Sequence, residues 1–361
     1  MLKNSIILLK SVFKDPQGFL SLSFIFFIFF ISIFAYMISP DDSQNANNMS
    51  LSIHSKPPLF KTMILKIPNQ SKNLNFFRFF FGREKIDQEI PIIKSVWIDG
   101  ILHYQPYGFN DSFLKKIQIN KFPKGLSYRD IEKKYIYTKT FFFGTDKFGR
   151  DILSRILIGS RVSISIGFIS VIISLFIGLA LGLISGYYGG YIDTVVMFLI
   201  NIFWSIPTLL IVIAISIALG KGYWQVFVAV GFTMWVDIAR LVRGQVISIK
   251  EKKYIKASEV LGFSDNKIIL NHILPMIVPT LIVMSSANFA SAILIESGLS
   301  FLGIGIQPPT PSWGGMIKEH FRYILLGKAY LAIIPGVFIV LIVLSFITLG
   351  NKLRDILDVK N

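Results

Sequence analysis

Six long apolar blocks constrain this chain more than anything else in it: Phe19–Met37, Val162–Ile184, Val195–Leu219, Trp224–Leu241, Met276–Leu294 and Tyr330–Leu349. Each has about the length that a helix needs to cross a hydrocarbon layer of ~30 Å. Inside such a layer every backbone N–H and C=O must find its partner within the protein, and a helix does this within one segment. The chain is 53% hydrophobic with 33 Phe and a mean hydropathy of +0.60, and these residues are gathered into blocks rather than scattered. The expected fold is an all-α polytopic membrane protein with six transmembrane helices.

Charge sets the orientation. Lys3, Lys10 and Lys14 precede the first block, and Arg240, at the end of the fourth, is followed by Arg243, Lys250, Lys252, Lys253 and Lys256. Basic residues mark the cytoplasmic ends of spans, which places both termini in the cytoplasm. A cleaved signal peptide is the rival for the first block, but its apolar run is longer than a signal core and no small-x-small site follows closely. The net charge of +16 lies largely in the region after the first block and beside the spans, so a membrane surface explains it more simply than nucleic acid does. With no cysteine there is no disulfide and no thiolate metal site. The chain divides into 1–38, the N-terminus and first helix; 39–140, an extracytoplasmic insert; and 141–361, a core of five helices.

The insert changes character at once, with DDSQNANN at its start. Ser95–Tyr104 reads as strand, Asp-Gly turn, strand. Met63–Ile67 and Lys116–Ile119 alternate like further strands, and Leu126–Lys133 reads as a helix. The expectation is a small α+β module; the alternative is a partly ordered loop.

Three polar stretches interrupt the apolar core. Tyr254–Pro275 reads as helix, break, helix: Ile255, Val260 and Leu261 on the first, Gly262 suited to a left-handed C-cap, Ser264 or Asp265 capping the second, and Pro275 stopping it. Such an elbow either lies at the lipid surface or receives a docking partner. Phe143–Ser163 reads as an interfacial turn and helix in which Asp146, Arg150, Asp151 and Arg155 can pair. Glu296–Gly315 is dense in Gly and Pro and implies a compact re-entrant or surface turn. Within the blocks, Gly178, Gly182 and Gly186 form a small-x-x-x-small ladder that favours tight packing inside one subunit. Trp204 and Pro207 are expected to kink the Val195–Leu219 span. Gly220–Tyr223 reads as a tight outer turn. Asp237 is spaced to pair with Arg240 one turn on, whereas Glu296 either lines a pathway or meets a partner subunit.

No G-x-x-x-x-G-K-[ST] loop occurs, so ATP hydrolysis is not expected of this chain. The four histidines are scattered without metal-ligand spacing, and a helix-terminus hydrogen bond is the expected role of His272. No nucleophile stands beside a base.

The spacing Ala257, Gly262, Ile268, His272, Leu274, Pro275 resembles the EAA coupling loop of ABC importer permeases. Lys256 stands at the motif's Glu and Ser258 at its second Ala; Glu259 is out of register. Gly144, Thr145, Asp146, Gly149, Arg150, Asp151, Ser154 and Arg155 resemble the GTD-x-x-GRD-x-x-SR pattern of the dipeptide/oligopeptide/nickel branch, in its C-type subunit. Glu296, Pro308, Pro309 and Trp313, in ESGLSFLGIGIQPPTPSWG, resemble the same branch. The likeness covers about 140–361 and the first helix. It implies an ABC type I importer permease in the bacterial inner membrane, moving peptides or, alternatively, nickel chelates. It further implies a homologous second permease, two ATP-binding subunits that hydrolyse ATP with Mg, and an extracytoplasmic substrate-binding protein, with no cofactor on this chain. A stand-alone secondary transporter is the rival, which calls for titratable relays and inverted repeats.

Overall fold

Helices form where the apolar blocks stand in the computed structural model, which describes residues 12–69, 78–83, 87–109, 114–123, 125–220, 222 and 224–358. Lys3, Lys10 and Tyr223 lie outside the described residues. In chain order the elements used below are α1 (Pro16–Ile33), β1 (Phe60–Ile67), β2 (Gln88–Ile98), β3 (Ile101–Pro106), β4 (Lys115–Gln118), α2 (Tyr128–Tyr135), β5 (Ile136–Phe141), α3 (Ile152–Tyr188), α4 (Gly190–Ser205), α5 (Thr208–Ala218), α6 (Trp224–Thr233), α7 (Trp235–Lys250), α8 (Lys253–Val260), α9 (Asp265–Ile268), α10 (Leu274–Leu302), α11 (Trp313–His320) and α12 (Tyr330–Asp358). Among the described residues, five helical stretches are long and apolar enough to cross a membrane, with α6 and α7 counted as one and α9 through α10 as another; the pair α4 and α5 makes a sixth if taken together.

That pair corrects one expectation. Val195–Leu219 is broken, not kinked: α4 and α5 meet at 95°. Pro207 has no N–H to continue the helix and pushes Ile206 out of the helical region, to φ −111° and ψ 131°. Pro275 corrects another. It does not stop the elbow's second helix. The chain passes from α9 through a π-turn, Ile269–Ile273, into α10, and Pro275 sits in the first turn of α10, where a missing N–H is tolerated.

The contacts divide the chain into two compact units. The first comprises residues 1–29, 163–307 and 338–361. Its interior is set by the glycine ladder. A Cβ on Gly178 would lie 2.7 Å from Ile238 Cβ, one on Gly182 2.6 Å from the Ala239 carbonyl, and one on Gly186 2.7 Å from Val246 Cβ. Thus α3 lies against α7 at a distance that only hydrogen side chains permit. Below the ladder Tyr187, Val242, Val246, Ile249, Ile255, Ile268, Ile273, Ile277 and Leu281 form one buried cluster.

The second unit comprises residues 30–162 and 308–337. It holds an antiparallel sheet of order β4-β3-β2-β1-β5. Ile98 pairs with Ile101, so Asp99 and Gly100 form a two-residue loop, both at positive φ, as the hairpin signal requires. Ser127 and Asp130 close a capping box on α2. Leu65, Ile92, Leu102, Tyr104, Phe122, Ile131 and Tyr135 make the core between sheet and helix. The described residues of the insert therefore fold as an α+β module.

The ladder yields a testable consequence. Gly182→Val should destabilise the solubilised protein by about 1–3 kcal/mol through overpacking. Gly298→Ala, at a helical glycine whose added Cβ meets nothing within 4 Å, should leave the thermal unfolding midpoint in detergent almost unchanged.

Candidate functional site

The elbow begins where α8 runs out. Leu261 caps it, Gly262 turns left-handed at φ +77°, the Gly262 N–H donates to Glu259 O at 3.0 Å and the Phe263 N–H donates to Ser258 O at 3.1 Å. These two bonds are the Schellman pattern that satisfies the last carbonyls of a helix. A Cβ at Gly262 would meet nothing within 4 Å, so conformation alone, not space, calls for glycine there. Ser264 then starts α9, its carbonyl accepting from Ile268 N–H at 3.1 Å.

The elbow has two unlike faces. Ile255, Ile268 and Ile273 are fully buried in the membrane unit's cluster, with Ser258 beside them, its Oγ donating to Tyr254 O at 2.9 Å. At the tip, Val260 is 88% and Leu261 73% exposed. Lys256 and Ala257 are exposed too, and Lys256 Nζ donates to Glu251 Oε2 at 2.5 Å. His272 lies parallel to the Phe263 ring at 6.2 Å rather than in the expected helix-terminus hydrogen bond. Leu274 and Pro275 are half-buried where α10 begins. Polar contacts fasten the elbow to the bundle: Tyr187 Oη donates to Asp265 Oδ1 at 3.0 Å, and Lys250 Nζ to Tyr187 O at 2.7 Å.

A second constellation lies in the other unit. Gly144 and Gly149 hold φ of +79° and +73°, and a Cβ on either would strike the Lys56 or Ser50 carbonyl, at 2.3 and 1.9 Å. Between them the chain folds round Asp146. Its Oδ1 accepts from the Phe148 and Arg150 N–H groups at 2.8 and 2.9 Å, and its Oδ2 from Arg150 Nε at 2.6 Å. Arg150 Nη2 also donates to Glu319 Oε2 at 2.8 Å, and Arg155 lies 3.8 Å from Asp146 and 3.7 Å from Glu319. Two carboxylates thus face two guanidiniums, all buried except the partly exposed Glu319. Asp151 does not join them: its Oδ2 accepts from the Ser154 N–H and hydroxyl, and burial pushes its carboxyl above the usual range. Thr145 Oγ1 donates to Ile53 O and accepts from the Lys56 N–H, and Ser154 Oγ accepts from the Asp41 N–H, which stitches the turn to the module.

The expected membrane-surface pairing among Asp146, Arg150, Asp151 and Arg155 is therefore a buried network, and its outer members were not foreseen. Glu319 and His320 come from α11, which lies in and beyond the stretch expected to be only a turn. Its start was marked, since Ser312 is a capping residue type and its Oγ accepts from the Gly315 N–H. Trp313, fully buried, donates from Nε1 to Ile156 O at 3.1 Å, while Pro308 and Pro309 are exposed. His320 Nδ1 lies 2.8 Å from Met316 O; a carbonyl only accepts, so Nδ1 carries the proton, and burial holds the imidazole below its ordinary range. Asp146, Glu319 and His320 offer ligand atoms within 4.8 Å of one another. Arg150 already engages both carboxylates, and the two guanidiniums balance them, so a divalent cation would add charge with nothing left to offset it.

Two other expectations change. Glu296 is fully buried in its own unit, accepting from Ser300 Oγ at 2.7 Å; that hydroxyl in turn accepts from the Ile306 N–H, so the carboxylate braces the turn after α10. Asp237 and Arg240 do not pair. Trp204 Nε1 donates to Asp237 Oδ1 at 3.2 Å, and the Arg240 guanidinium lies 4.1 Å over the Trp204 ring. Arg243 instead reaches Asp193 at 2.5 and 2.6 Å.

Asp146→Asn should remove one buried charge and leave Arg150 and Arg155 short of a partner. A loss of about 3–5 kcal/mol is expected, read as a lowered unfolding midpoint and faster proteolysis of the module.

Residues 178–360 match the family described as binding-protein-dependent transport system inner membrane component. The chain is 42% identical over 220 residues to the oligopeptide transport system permease protein OppC of Escherichia coli K12, covering 61% of this chain and 72% of that protein. It is 40% identical over 218 residues to the dipeptide transport system permease protein DppC of Bacillus subtilis 168, covering 60% and 68%. With the glutathione transport system permease protein GsiD of Shigella flexneri serotype 5b the identity is 42% over 218 residues, covering 60% and 72%. Among solved structures, the inward-facing MetNI methionine ABC transporter aligns with a TM-score of 0.46 at 20% identity, over 56% of this chain and 95% of that one. The chain belongs to the binding-protein-dependent transport system inner membrane components, as a multi-pass ABC importer permease of the C type.

Proposed function

We propose that this chain forms half of a membrane pathway through which an ATP-driven importer moves short peptides into the cytoplasm. The observation that carries the reading is the elbow: an apolar tip held out at Val260 and Leu261 while the opposite face is locked into the bundle. A docked ATPase subunit covers such a tip and moves the bundle with it. The named relatives carry oligopeptides, dipeptides and glutathione, which supports a peptide substrate here. A homologous second permease completes the pathway, two ATP-binding subunits hydrolyse ATP with Mg, and a substrate-binding protein delivers cargo from outside. Basic residues around the elbow, Lys250, Lys252, Lys253 and Lys256, support a cytoplasmic position for it and for both termini. Alternating access requires ATP and substrate each to favour one of the two states. The basic α+β module faces outward, where it offers a docking surface to the binding protein or to the second permease.

Gly262 provides the test. A β-branched residue at positive φ is strained by about 1–2 kcal/mol, whereas Asn tolerates that region. Gly262→Val should leave membrane insertion intact but reduce ATP-dependent peptide uptake at least tenfold in the reconstituted complex, and Gly262→Asn should restore most of it. Full uptake in Gly262→Val would count against the elbow as the coupling element.

A further inference from the structure

Side chains pointing out of the membrane unit are of two kinds. On α1, α3 and α12 the large ones are apolar: Phe26, Phe27, Phe168, Phe176, Val340 and Leu344. These faces suit lipid. On α7 they are not. At 100° per residue, Trp235, Val236, Ala239, Val242 and Val246 share the buried side of the helix, and Asp237, Arg240, Gly244 and Ser248 share the opposite, exposed side. Asp237 and Arg240 lie within the helical stretch Trp224–Lys250, toward the cytoplasmic end of its apolar part. An exposed carboxylate and guanidinium on such a stretch face water or protein rather than hydrocarbon.

Beside them the membrane helix breaks. Ser205, Ile206 and Pro207 are exposed at the 95° bend, where backbone groups released from the helix also need polar surroundings. Trp204, at the end of α4, joins the break to the charges by donating to Asp237 and lying beneath Arg240. Both charges thus contact one indole. The result is an acidic and a basic group, adjacent and exposed, next to irregular backbone. Discontinuous helices with such groups are how membrane proteins build contact sites for polar cargo.

We propose that the Asp237–Arg240 face of α7, with Trp204 and the break between α4 and α5, lines the aqueous pathway and contacts the charged ends of the passing peptide. Asp237 takes the α-ammonium group and Arg240 the α-carboxylate. This rests on the peptide-import reading above.

The absence of native cysteine makes the test direct, because any cysteine introduced is unique in this chain. Asp237→Cys, Arg240→Cys and Gly244→Cys would be placed in the complete complex, in inside-out vesicles, with Val340→Cys as the lipid-facing control. Gly244 guards against misfolding of the charge variants, since a Cβ there meets nothing within 4 Å. A membrane-impermeant charged methanethiosulfonate should modify positions 237, 240 and 244 at least tenfold faster than 340. Transported peptide with ATP should change the rates at 237 and 240 severalfold. A second readout uses Asp237→Asn. Wild type should take up free peptide faster than its N-acetylated form, and the variant should lose that preference, the binding protein being the same in both. Normal wild-type uptake with 237, 240 and 244 unreactive, or cross-linked to the second permease instead, would overturn the inference alone, as would an unchanged preference in Asp237→Asn. A wild-type complex without ATP-dependent peptide uptake would overturn the import reading itself.

Discussion

The close approach of α3 and α7 is the contact on which the membrane unit depends. Three glycines let the two backbones meet, and the cluster around Val242, Val246 and Ile249 extends that seam to the elbow. Because Ile255, Ile268 and Ile273 belong to the same cluster, the elbow is part of the bundle rather than a loop beside it. The π-turn at Ile269–Ile273 passes the chain from elbow to α10 without an end or a cap. Tyr187, fixed by Asp265 and Lys250, adds polar contacts at the same place. The exposed tip is thus joined to helices α3, α7 and α10 through packed side chains, and packed interiors yield little.

The second unit is held differently. Its sheet and α2 have an ordinary apolar core, but the turn at Gly144–Arg150 is held by enclosed charge. Such networks are weak sources of net stability, and their loss is costly because each partner left behind is an unpaired buried ion. They also specify geometry. Arg150 can satisfy Asp146, Glu319 and Asn47 together in one arrangement only, which fixes the start of α3 against α11 and the module.

Much of this was legible in the residues, and the lapses have physical causes. Gly262 and the Asp99-Gly100 pair were readable because positive φ excludes most side chains, so the residue type reports the backbone. The apolar blocks were readable because the bilayer sets a length. Prolines misled in both directions: Pro207 breaks a helix where a kink was expected, and Pro275 enters one where a stop was expected. The same missing N–H is disruptive mid-helix and harmless in a first turn. Charged partners were the hardest. Local spacing matched Asp237 with Arg240, yet Trp204, thirty-three residues away, supplied the better donor. Glu319 and His320 join a network whose other members lie about 170 residues earlier, and no local pattern encodes that distance.

The central claim is that the elbow receives a separate ATP-hydrolysing subunit. The most direct test is to tag the C-terminus, extract the chain from native membranes in mild detergent, and assay what accompanies it. The account predicts a nucleotide-binding subunit and a second permease, in a complex whose peptide uptake after reconstitution requires ATP. A chain that purifies alone and supports uptake in vesicles lacking ATP would contradict it.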